Sequence, residues 1–129
     1  MSRIITTKKA PKPIGPYSQG IMKNNFLFIS GQIPIDVRSG CIPNNISEQT
    51  HVVLTNIKSI ILKANYQMKD IVKITIFTTH LKKIQIINEI YEKFFTDNQS
   101  FYPARSCVEV RELPKNVKIE IEAIAIKNK

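Results

Sequence analysis

Residues 101–110 read Phe101-Tyr102-Pro103-Ala104-Arg105-Ser106-Cys107-Val108-Glu109-Val110, and after a short break Ile119-Glu120-Ile121-Glu122 follows. Both runs have the pattern of β-strands. Side chains alternate along a strand, so Arg105, Cys107 and Glu109 share one face of the first run. Only four of the 19 basic residues are arginines, and an arginine in an otherwise apolar strand wants a reason. A planar anion supplies one, because a guanidinium grips a carboxylate through two parallel hydrogen bonds. If the two runs form a hairpin symmetric about Glu112-Leu113, Arg105 and Glu120 lie across from each other on one face.

Upstream, the apolar spacing organises the rest of the chain. Ala10 to Tyr17 is a loop punctuated by Pro and Gly. Ser18 to Met22 and Phe26 to Ser30 flank Lys23-Asn24-Asn25, a hairpin signal because Asn tolerates the left-handed turn conformation. Gly31-Gln32-Ile33-Pro34 leaves the strand, and Ser39-Gly40 marks another turn. Ser47 is the expected N-cap of a first helix, on which Val53, Ile57, Ile60, Ile61 and Ala64 recur at helical spacing. Asn65 can end that helix in the left-handed conformation. Asp70 to Thr79 reads as a strand with Val72, Ile74 and Ile76 on one face and Ile71, Thr75 and Phe77 on the other. Leu81 to Phe95 reads as a second helix with Ile84, Ile87, Tyr91, Phe94 and Phe95 on its apolar side. After a possible short strand at Ile4-Ile5-Thr6, the order is β-β-α-β-α-β-β, which fits an α+β sandwich with a mixed β-sheet and two helices on one face. The last strand carries Lys118, Glu120, Glu122, Ile124 and Ile126 on its open face. Apolar residues there suggest packing against another subunit.

The 129 residues (1–129) are expected to form one domain with a real core. No apolar run is long enough to span a membrane, and the N-terminus lacks the apolar centre of a signal peptide, so a cytoplasmic location is expected. Cys41 and Cys107 stand outside any metal-ligand spacing and read as free thiols; no metal site is expected. The formal charge of +9 comes from lysines dispersed along the chain rather than from a block of like charges, which argues against a dedicated nucleic-acid surface.

Pro103-Ala104-Arg105-Ser106-Cys107-Val108-Glu109-Val110, Leu113-Pro114 and Ile119-Glu120-Ile121 resemble the signature of the Rid family (reactive intermediate deaminases, YjgF-like). Ala10-Pro11 with Ile14-Gly15-Pro16-Tyr17-Ser18-Gln19-Gly20 resembles the family's N-terminal loop. Ile29 to Pro34 resembles its glycine turn, and Asn88 to Phe95 its second helix. The resemblance covers nearly the whole chain and implies a chorismate-mutase-like fold assembled as a homotrimer. The sheets would line a central barrel, with active sites between neighbouring subunits. The implied activity needs no cofactor: hydrolysis of 2-imino acids, such as 2-iminobutanoate and 2-iminopropanoate, to 2-oxo acids and ammonia. These imines arise from enamines released by pyridoxal-phosphate dehydratases. Two other readings are an endoribonuclease or translation inhibitor, an activity associated with some members, and a regulator that binds 2-oxo acids without turnover.

Hydrolysis of an imino acid needs a carboxylate clamp, a positioned water and a proton for nitrogen. Arg105 is the expected clamp; a structural salt bridge to Glu109 is the alternative. Glu120 is the expected water-positioning base and proton relay, the alternative being a cross-strand ion pair with Arg105. Cys107 is expected as a pocket wall with a positioning backbone rather than a nucleophile. By resemblance, the Tyr17 hydroxyl reaches the ligand, Gly31 admits a close backbone approach, Ser30 adds a contact and Asn88 lies near the site. The alternatives are a loop anchor for Tyr17, a tight-turn residue for Gly31 and a buried polar cap for Asn88. His51 and His80 are expected at the surface, and the Phe94-Phe95-Phe101-Tyr102 cluster in the core. The sequence departs from the family pattern at Asn65, where glycine is common, and at Arg111-Glu112.

Overall fold

The computed structural model describes residues 2–128. Strand β1 (Ser2–Ile5) is followed by the hairpin β2 (Gly20–Lys23) and β3 (Phe26–Gln32). Asn24 adopts φ 54° at its turn, the left-handed conformation that asparagine tolerates better than most residues. Helix α1 (Ile46–Lys63) leads to β4 (Ile71–Thr78), and α2 (Ile84–Asp97) leads to β5 (Ala104–Glu109); β6 (Ile119–Ile126) ends the chain. The strands form one mixed sheet in the order β1-β2-β3-β6-β4-β5, in which only β4 and β5 run parallel. This is the α+β arrangement expected, with both helices on one face.

Helix α1 starts two residues earlier than Ser47 suggested. Asn45 is its N-cap, accepting from the Glu48 N–H at 2.8 Å, and an asparagine there satisfies a donor the helix cannot. At the other end Asn65 takes φ 63°, as anticipated. The apolar stripe Val53, Ile57, Ile60, Ile61 and Ala64 is buried against Ile74, Ile76, Ile119 and Ile121 from the sheet, together with Ile87, Tyr91, Phe94 and Phe95 of α2. Truncating one of these fully enclosed isoleucines to alanine would cost about 2–5 kcal/mol.

Three local expectations are corrected. A bulge between Ile71 and Lys73 interrupts the β4–β6 ladder. It carries Val72 to the surface and Ile71 into the core, since an extra residue reverses the alternation on one side of it. The Gly31-Gln32 pair does not leave the strand; it continues β3 across a second irregularity between Ile29 and Gln32. Phe101 and Tyr102 do not join Phe94 and Phe95 in the core. They lie just before the edge strand β5 and are 84% and 59% exposed.

The largest correction concerns the final two strands. They are not a hairpin, because β4 lies between them. Residues 110–118 instead arch over the end of β4. There Thr78 O accepts from Val110 N at 2.9 Å, and the buried Thr78 hydroxyl donates to Lys118 O at 2.7 Å. Lys115 and Asn116 take φ 55° and 56° to make the bend. The open face of the sheet exposes stacked Phe26 and Phe28, whose ladder partners are Ile126 and Ile124. Among the described residues no helix is long and apolar enough to cross a membrane.

Candidate active site

The side chains expected at the site fall into two groups, and the sheet separates them. Ladder partners point to the same face. Arg105 pairs with Ile74, which pairs with Ala123; Glu120 pairs with Phe77, which pairs with Val108. Ile74 and Ala123 are buried under the helices, so Arg105 belongs to the helix-covered face and Glu120 to the open one. Two strand spacings and three residues of offset put their Cα atoms roughly 14 Å apart. The shared face expected from a symmetric hairpin is therefore absent within one chain.

The Glu120 half is a cleft of about 220 Å³ lined by Tyr17, Ser30, Gly31, Ile33, Ile35 and the carboxylate of Glu120, with Lys12 and Pro114 among its other walls. Gly31 has no left-handed φ; its importance lies in contact. A Cβ at position 31 would overlap Glu120 Oε2 and sit 2.9 Å from Cδ, so only glycine lets this carboxylate lie on the strand. Burial pushes the Glu120 carboxyl above the usual glutamate range, and the neighbouring charge of Glu122 pushes it further. A carboxylate so placed holds a proton more readily than a free one, which suits a group that must both take and return protons.

Buried amides hold the walls of this cleft. Asn56 of α1 donates from Nδ2 to the carbonyls of Ile33 and Ile35, at 3.1 and 3.0 Å. Gln19 donates to Pro11 O at 2.8 Å and accepts from Thr7 N at 2.7 Å, tying down the loop that carries Tyr17. Gln49 accepts from Lys118 N at 2.8 Å, fixing the start of β6 two residues before Glu120. Sequence reading missed all three; for Gln49 and Asn56 the only signal is a polar residue among the apolar positions of a helix, and Gln19, in a loop, has none. Within the cleft, the Tyr17 hydroxyl accepts from Ile14 N at 3.2 Å, so this tyrosine anchors its own loop while lining the pocket. The Ser30 hydroxyl donates to Ser18 O. Ile33 and Ile35 face the cleft, whereas Ile21 is not among its walls.

The Arg105 half is a hollow of about 440 Å³ between α2 and the start of β5, lined by Asn88, Tyr91, Glu92, Tyr102, Pro103 and Arg105. The guanidinium carbon lies 4.9 Å from the centre of the Tyr91 ring. Among the described residues no carboxylate forms an ion pair with Arg105. Glu109, the alternative partner, instead accepts from Leu81 N at 3.1 Å. Asn88 is exposed, not a buried cap. Cys107 is half-buried against the core; burial pushes its thiol up, partly opposed by the Arg105 charge, so it is held in its less nucleophilic form. His51 and His80 are exposed, as expected.

A guanidinium without an ion-pair partner among the described residues lines one hollow, and a carboxylate lines the other. Residues 7–127 match the family described as endoribonuclease L-PSP. The chain belongs to the Rid family. It is 46% identical to the 2-iminobutanoate/2-iminopropanoate deaminase of Escherichia coli strain K12, over 98% of this chain and 99% of that protein. It is 69% identical to a RutC family protein of Buchnera aphidicola subsp. Schizaphis graminum, with 98% and 99% covered. The crystal structure of E. coli TdcF with bound serine superimposes with a TM-score of 0.96 at 46% identity, covering 98% of this chain and 99% of that one. The Rid fold expected from Pro103 to Val110 is thus the fold observed.

Proposed function

We propose that this protein hydrolyses 2-imino acids, 2-iminobutanoate and 2-iminopropanoate among them, to 2-oxo acids and ammonia. The observation that carries the reading is the Glu120 carboxylate seated on Gly31 in an open cleft, with its ionisation pushed upward. Arg105 grips the substrate carboxylate through a bidentate pair and so fixes the plane of the C=N bond. Glu120 orients a water against the imine carbon and takes its proton as the C–O bond forms. It then returns that proton to nitrogen; in a second relay it takes the carbinolamine hydroxyl proton and passes it to the amine as C=O forms, the C–N bond breaks and ammonia leaves. Ile33 and Ile35 pack on the short aliphatic side chain. Tyr17, Ser30 and Asn88 border the ligand, and the Cys107 backbone steadies it. No cofactor is needed, because water, one carboxyl group and one cation balance every step.

The clamp and the base meet only if two copies of the chain share a site. A homotrimer in which the open sheet faces turn inward as a barrel does this. It also covers Phe26, Phe28, Ile124 and Ile126, and it brings Arg105 of one subunit to Glu120 of its neighbour. Its place of work would be the cytoplasm, beside the pyridoxal-phosphate dehydratases that release enamines. The test is a threonine dehydratase reaction with and without the protein. Release of 2-oxobutanoate from the imine should accelerate, and Arg105→Ala should abolish the effect; an unchanged rate with the wild type would sink the reading.

Serine bound to TdcF favours a second reading, a sensor that binds amino or 2-oxo acids without turnover. It predicts saturable binding and no acceleration in wild type and Glu120→Gln alike. RNA cleavage, suggested by the family's description, would survive Arg105→Ala and fall steeply with salt.

A further inference from the structure

Tyr91 is a core residue by position and an odd one by chemistry. It is 5% exposed, its ring packs against Phe95 at a 38° tilt with centroids 4.6 Å apart, and its hydroxyl is buried with no hydrogen-bond partner among the described residues. A phenylalanine would fill the same space without stranding a polar atom. Its ring is also the floor under Arg105: the guanidinium carbon stands 4.9 Å from the centroid, no carboxylate among the described residues pairs with it, and both residues line the hollow that Asn88 borders one helical turn away. An exposed arginine on an edge strand has many rotamers. A cation over an aromatic face has far fewer, and stacking leaves the guanidinium edge free to grip an anion.

We infer that Tyr91 is a positioning residue for Arg105, whose ring face, and not whose hydroxyl, holds the guanidinium edge-on to an incoming carboxylate. The inference rests on the reading of Arg105 as a clamp but not on any catalytic step. It assigns the tyrosine to the affinity for the carboxylate and leaves the chemistry at Glu120 untouched.

Calorimetric titration of the assembled protein with 2-oxobutanoate tests it, since binding requires the clamp and not turnover. Tyr91→Leu should weaken binding roughly 3- to 30-fold, the range of a cation–π contact, and Tyr91→Phe should stay within about twofold of wild type. In the imine assay Tyr91→Leu should raise KM by a similar factor and leave kcat nearly unchanged. Because leucine also disturbs the core, site-specific fluorinated phenylalanines at position 91 give a second reading at near-constant shape: each added fluorine should weaken binding stepwise. Equal binding across that series, or a loss in Tyr91→Phe as large as in Tyr91→Leu, would overturn the inference. So would a wild type that binds no 2-oxo acid, or an Arg105→Ala variant that binds it as tightly. A wild type that binds but does not turn over would end the deaminase reading alone.

Discussion

Glu120 lies against the backbone of Gly31 so closely that a methyl group at position 31 would stand 2.9 Å from the Glu120 Cδ. The atoms in the way belong to a side chain that can swing, so Gly31→Ala need not unfold the protein. We expect a stability loss of about 1–3 kcal/mol at most, the range of overpacking, measured by urea unfolding. On the proposed mechanism turnover should fall at least about tenfold, because the carboxylate assigned to meet the water is displaced. A fully active Gly31→Ala would mean that this contact has no part in the reaction.

The raised Glu120 carboxyl makes a prediction in pH. Burial is the larger cause and Glu122 the smaller. In the proposed mechanism Glu120 is a general base and works ionised, so the acid limb of kcat/KM should lie above the ordinary glutamate range. Glu122→Gln, which removes the second cause, should move that limb to lower pH. Stability runs the opposite way. A folded-state value above the unfolded one means that the native state binds this proton more tightly. The resulting contribution is present below the unfolded value and is lost as pH rises through the folded one. Glu120→Gln should therefore gain little in Tm near pH 4 and most near neutrality. A Tm difference independent of pH would refute the assignment.

Asn56 joins stability to the shape of the cleft. Its amide is the partner of two carbonyls, those of Ile33 and Ile35, and both side chains line the pocket. Asn56→Leu leaves those carbonyls without a donor, a loss of about 2–3 kcal/mol and roughly 5–12 °C in Tm. The freed segment should also raise KM more than it lowers kcat. A variant as stable as the wild type would show that water replaces the amide without cost.

Much of this fold was legible because helix faces are local. The stripe from Val53 to Ala64 needs only the 3.6-residue period, and Asn24 and Asn65 needed only their tolerance of positive φ. Strand partnership is not local. Nothing in residues 104–126 says that β4 will slip between β5 and β6, because that order is decided by the parallel crossover through α2 and by the arch over Thr78. The candidate site inherits the same limit. Arg105 and Glu120 could be picked out one at a time from residue type and strand alternation, but the face each occupies depends on ladder partners 31 residues away for Arg105 (Ile74) and 43 for Glu120 (Phe77). The supports Asn56, Gln19 and Gln49 stayed hidden because a buried amide and a surface amide look alike in sequence.

The separation of Arg105 from Glu120 within one chain gives the sharpest test of the assembly. Alone, Arg105→Ala and Glu120→Gln should each be inactive, for different reasons: one loses the clamp, the other the base. If every site takes its arginine from one subunit and its glutamate from the next, co-expressed mixtures of the two variants contain sites that are wild type in both. Random mixing in equal amounts makes about a quarter of the sites intact, so about a quarter of the wild-type rate should return. Phe28→Glu, which places a charge on the exposed apolar face, should block this recovery by keeping the chains apart, and light scattering should report a single chain. A mixture as inactive as its components, formed from chains shown to exchange, would place both groups of a site in one subunit and require a different partner for Glu120.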